Sequence, residues 1–139
     1  MMRRPIGIAA LLILTACSDN PESKLNATCN AVMTDPEVQA DVTDANIGVE
    51  AYCACAATKF LALPTDERDK MISTFETMEQ MMQDHEGSAE AAFRELSRAG
   101  RAEDATSEAI AAYQSMDALG DRLDDVLDDM RDADRTCPV

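Results

Sequence analysis

Two cysteines a single alanine apart, Cys53 and Cys55 in the stretch VEAYCACAATKF, constrain this 139-residue chain more than any other feature. The residues around them recur with a helical period: Val49, Cys53, Ala56, Phe60 and Leu63 share one face. Advancing about 100° per residue, Cys55 stands roughly 200° round from Cys53, so their Cβ atoms diverge. A disulfide holds its two Cβ atoms about 3.8 Å apart, and a bond between these neighbours works against that geometry. If oxidised, each must reach a distant part of the chain, and Cys29 and Cys137 lie far away on either side.

Which chemistry is open to them depends on the compartment. The chain begins MMRRPIGIAALLILTACSDN: basic at Arg3 and Arg4, uncharged from Pro5 to Ala16, then Cys17. The apolar run is shorter than the ~20 residues of a membrane-spanning helix and has the proportions of a secretory leader. The arginines lack the further residues of a twin-arginine export signal. Leu14-Thr15-Ala16-Cys17 resembles the lipobox of bacterial lipoproteins, with a branched apolar residue, two small ones and the cysteine that takes lipid. That resemblance covers only the leader. It implies a signal peptide at residues 1–16 and diacylglyceryl transfer to the Cys17 thiol. It further implies cleavage before Cys17 and a fatty acyl group, typically palmitate, on the new amino terminus. The plainer alternative is an ordinary cleaved leader ending near a cysteine. Each buried methylene adds ~0.8 kcal/mol and two acyl signals anchor stably, so a processed Cys17 tethers the protein to the bilayer. Ser18, where some lipoproteins carry Asp, implies by the sorting habit of the class the outer membrane, facing the periplasm.

With Cys17 lipidated, four cysteines remain in an oxidising compartment, the pattern of two disulfides. A Cys₄ zinc site usually shows two CxxC-like knuckles, and Cys29 and Cys137 are isolated. A CxC redox pair needs an exposed thiol of low pKa, whereas Cys53 lies on the apolar face. Two connectivities survive the exclusion of Cys53–Cys55. A hairpin of the first two helices favours Cys29–Cys53 with Cys55–Cys137 over the swapped pairing. By loop entropy these closures contribute ~3.5 and ~4.5 kcal/mol.

The patterning predicts an all-α fold, a small disulfide-stapled bundle of four to five helices over residues 22–139, joined to the lipid by a polar tether at 17–21. The first helix runs from about Glu22 to Met33 on the Leu25, Cys29, Val32 stripe. TDPEVQADVTDAN reads as a loop holding at most one helical turn. The second helix spans about Ala45 to Leu63, where Pro64 breaks it. Thr65 is expected to cap a third, with Asp66 and Glu67 at its positive end, that places Met71, Phe75, Met78 and Met82 on one face and stops near Gly87. Ser88 caps a fourth, carrying Ala92, Phe93 and Leu96 and ending around Gly100. The last, about Glu103 to Arg135, has the best periodicity, with Ala112, Met116, Leu119, Leu123, Val126, Met130, Ala133 and Cys137 in 4-3 rhythm and Gly120 as a possible bend.

Charge narrows the function. The chain has 12 basic and 27 acidic residues; without Arg3 and Arg4 the mature part is left with ten basic residues and a net charge of −17. Nucleic acid and anionic lipid are repelled, and cationic partners or loosely held divalent ions are favoured, the plainer alternative being solubility beside a crowded membrane. In GDRLDDVLDDMRDAD, Asp121, Asp125, Asp128 and Asp132 line one flank, with Asp124 and Asp128 close to the apolar stripe. No DxDxDG calcium loop is present, and such a run most often forms the solvated face of an amphipathic helix. Met78, Met82 and His85 stand at i, i+4, i+7 and could offer Cu(I) two thioethers and an imidazole. The same methionines are also needed to fill a core. With one histidine and no GxSxG, HExxH or phosphate-cradling loop, the chain is expected to be non-catalytic and to need no cofactor. The leading expectation is an envelope lipoprotein acting as an interaction or support module that meets a cationic protein or peptide. A periplasmic copper-binding protein comes next, and a CxC thiol oxidoreductase third.

Overall fold

The computed structural model describes residues 20–138. The leader, Cys17 and most of the expected tether lie outside them. Among the described residues there are six helices and no strand: α1 (Pro21–Val32), α2 (Pro36–Asp44), α3 (Val49–Leu61), α4 (Thr65–Asp84), α5 (Ala89–Arg101) and α6 (Ser107–Asp132). No helix among them is long and apolar enough to cross a membrane.

Local chemistry sets most of the boundaries. Side-chain oxygens of Asn20, Asp35, Ser88 and Thr106 accept from the free N–H groups of Glu22, Glu37, Ala91 and Ala109 at 2.8–3.2 Å, which satisfies first-turn donors that have no intrahelical partner. Pro21 and Pro36 occupy first helical positions, where a missing N–H costs nothing. α2, α4 and α6 close alike. The N–H groups of Ile47, Gly87 and Arg135 reach back to the carbonyls of Val42, Met82 and Met130 at 2.7–3.1 Å, through the left-handed residues Asn46, Glu86 and Asp134.

α1 packs on α3 and α4, α6 forms a hairpin with α5, and α4 and α3 join the two groups. Their shared core takes Leu25, Cys29, Phe60, Phe75, Met82 and Met130 among others, with the Phe60 and Phe75 rings 5.9 Å apart. Disulfides join Cys29 to Cys53 and Cys55 to Cys137. Both members of the CAC pair are buried, at 0% and 1% exposure. They lie on different sides of α3, as its period requires, and Cys55 is joined there to Cys137 in the chain beyond α6.

Several expectations need correction. The bundle has six helices, not four to five, because TDPEVQADVTDAN forms α2. Asp35 caps it, and Val42 and the following Ile47 are buried, so a short helix gains an apolar anchor at its far end. The tether cannot extend to residue 21, since Asn20 caps α1 and Pro21 opens it. α3 starts at Val49, after the turn at Asn46, rather than at Ala45. α5 does end around Gly100, at Arg101. A Cβ on Gly100 would fall 2.5 Å from the Tyr113 Cβ, so its lack of a side chain lets α5 and α6 approach closely. α6 begins at Ser107, not Glu103, ends at Asp132, and runs through Gly120 without interruption.

Candidate docking groove

One wall of the site comes from α6. Met116, Leu119 and Leu127 are buried and Leu123 half-buried, while Asp117, Asp121 and Asp124 follow at i, i+4, i+7 along the edge of that apolar stripe. The opposite wall is α2, whose Val38 and Val42 point into the same space, with Glu37 and Asp41 one turn apart on its rim. The first turn of α5 closes one end with Ala89, Glu90 and Phe93. Between them lies an open groove of about 520 Å³. Val32, Met33, Tyr52, Met78 and Met116 form much of its floor.

Two buried side chains, Asp35 and Tyr52, hold the walls through three hydrogen bonds. Asp35, 4% exposed, accepts from the N–H of Glu37 at 2.8 Å and from the N–H of Ala89 at 2.6 Å. One carboxylate therefore caps both α2 and α5 and fixes the end of the groove. The Tyr52 hydroxyl donates to the Leu123 carbonyl at 2.7 Å, tying α3 to the middle of α6. Burial, and then the charge of Asp124, pushes the Tyr52 phenol far above its ordinary pKa, so it stays a donor.

The electrostatics are one-sided. Six carboxylates line the groove and no basic side chain does. Glu37 is held above the ordinary carboxylate range, first by a hydrogen bond with Glu90, then by the charges of Glu90 and Asp35. Asp124 is raised first by partial burial and then by Asp41 across the groove, with Asp121, Asp128 and Asp125 on its own helix adding to this. Like charges held this close disfavour ionisation. Arg94, further along α5, pairs with Glu90.

No family model, curated protein or solved structure matches this chain. The residues singled out in the sequence are placed as follows. Asp121 and Asp124 reach the groove. Asp125, Asp128 and Asp132 are exposed, with Asp128 paired to Arg131. Met78 forms part of the groove floor, whereas Met82 lines a different hollow beside α1. The His85 Nε2 engages Glu95 of α5. The candidate copper set is thus spread over three environments. Among the described residues, no three His, Cys, Asp or Glu side chains are grouped to hold a metal ion. Cys53 and Cys55 are bonded to separate partners rather than to each other. Sequence reasoning missed Glu37, Asp41, Glu90 and Asp117. The signal for the first two was present: Asp35-Pro36 is a helix start, and Val38 and Val42 stand at i, i+4.

Proposed function

We propose that the protein is a non-catalytic docking module, lipid-anchored to the bacterial envelope through Cys17 and facing the periplasm at the outer membrane, that binds a cationic partner. The groove between α2, α5 and α6 carries this reading, with an apolar floor and rims whose ionisable side chains are all carboxylates apart from the tyrosine on the floor. A cation entering it relieves repulsion already present at Glu37 and Asp124, and so meets a site with its charge held in place before binding. Two disulfides fit an oxidising compartment, in keeping with the leader. The burial of all the CAC sulfur in bridges also favours staples over thiol exchange.

Titration of the purified protein with unstructured oligolysine tests the partner chemistry. Binding should be measurable at low salt, weaken steeply as salt is raised, and be lost when Asp41→Asn, Asp121→Asn and Asp124→Asn are combined. Salt-insensitive binding, or full binding by the triple variant, would sink it. For the anchor, the amino-terminal peptide of membrane-extracted protein should begin at Cys17 and carry the mass of a diacylglyceryl group. An intact leader there would refute the tethered reading.

A further inference from the structure

Gly120 is left unexplained by packing. It sits in the middle of the 26-residue α6, where glycine weakens a helix. It has no left-handed backbone to accommodate. Nor does it permit a close approach as Gly100 does, since nothing lies within 4 Å of the position its Cβ would occupy. That empty volume opens into the groove, which Gly120 helps to line between Asp117 and Asp124.

We infer that the groove receives a basic amphipathic α-helix whose backbone passes over the Gly120 notch, with its apolar side chains on the methionine floor and its Lys or Arg side chains on the two acidic rims. This rests on the docking reading above and adds the form of the partner. Four features support it. The described residues contain no strand, so no sheet edge is offered to an extended peptide, and affinity must come from side chains seated in a groove. Met33, Met78 and Met116 give the floor unbranched, adaptable side chains that accept varied apolar partners. Asp117 to Asp124 covers about 10 Å of rim, two turns of a helix lying alongside, and Glu37 and Asp41 repeat one turn of that spacing across the groove. A residue without a side chain at the centre of the wall lets another backbone come close.

The probe is a Leu/Lys peptide patterned as an amphipathic helix, with two controls: a scramble of the same composition and a version with Gln replacing Lys. The full mature protein should bind the patterned peptide at least about tenfold more tightly than either control, and the peptide should gain helicity by circular dichroism on binding. Gly120→Leu fills the notch and improves the helix propensity of α6. It should raise Tm while weakening the patterned peptide by about tenfold or more, an outcome that misfolding cannot mimic. Equal binding of the scramble would show that charge alone is recognised, overturning the helix while leaving the docking reading intact. Equal binding of the Gln peptide would overturn the role given to the rims. Unchanged affinity in Gly120→Leu would overturn the notch. A Gly120-sensitive dimer without peptide would mean that a second copy fills the groove. If neither the patterned peptide nor oligolysine binds, both readings fall together.

Discussion

The two flanks of α6 treat charge in opposite ways. Towards α3 and α4, opposite charges meet: Lys59 lies 2.7 Å from Asp129, and Arg122 lies 2.9 Å from Glu67. Towards α2 and α5 the groove sets carboxylates against carboxylates, Asp124 facing Asp41 while Glu37 meets Glu90. The first flank pairs its charges within the chain, whereas the second leaves like charges facing one another. Repulsion of the second kind persists where the rest of the fold supplies enough stability to hold it. Here that support comes from the closed core and its two staples.

Removing the staples should have the largest effect. The Cys55–Cys137 bridge closes a sequence separation of 82 and Cys29–Cys53 one of 24. Paired serine substitutions should therefore cost about 4.5 and about 3.5 kcal/mol respectively in urea unfolding. Since a domain has only ~5–15 kcal/mol in total, reduction of both should leave the groove unformed. A melting curve unmoved by reductant would remove the support assigned to the staples. Next comes Asp35→Ala, which strips the caps from Glu37 and Ala89 together. It should cost about 1–3 kcal/mol and raise amide exchange in α2 before the α1–α3 core. Uniform exchange would show that α2 is not held independently at this end.

The smallest effects should differ in sign between the flanks. Asp129→Asn removes an attraction and should destabilise by up to about 1 kcal/mol, whereas Asp124→Asn removes a repulsion and should stabilise by a few tenths, because both groups are well exposed to solvent. The second effect depends on pH. With its folded pKa raised, Asp124 binds its proton more tightly in the native state, and the stability this gives is lost as pH rises through that raised value. Asp124→Asn should therefore gain on the wild type above the ordinary carboxylate range and converge with it below about pH 4. The groups facing Asp124 are Asp41 from α2 and Asp121, Asp125 and Asp128 from α6, so no basic neighbour reverses the sign. Stabilisation that persists unchanged in acid would mean that charge crowding at the groove is not its cause.

Much of the bundle was legible because helices declare themselves locally. Ser88 caps a helix wherever the chain places it, and Pro64 ends one. Cys53 and Cys55 diverge on any α-helix, which excludes their mutual bond before partners are known. α2 was the failure. Its nine residues present a short stripe, Val38 and Val42, and its acidic, proline-led sequence has the composition of a loop. Its stability comes from burial of Val42 and Ile47 and from the Asp35 carboxylate shared with α5, contacts made across 54 residues in the last case.

From its residue order the chain dictates an all-helical fold, the register of each apolar stripe and four cysteines that must pair at long range, since periodicity, capping and Cβ direction act within a few residues. Which faces meet is another matter. Glu37 and Asp41 lie far in sequence from Asp117, Asp121 and Asp124, and no local rule orients α2 against α6. Only the packed arrangement turns scattered carboxylates into opposing rims and an idle glycine into a gap in the wall, because it is the sharing of one core that brings those surfaces to the two sides of one groove.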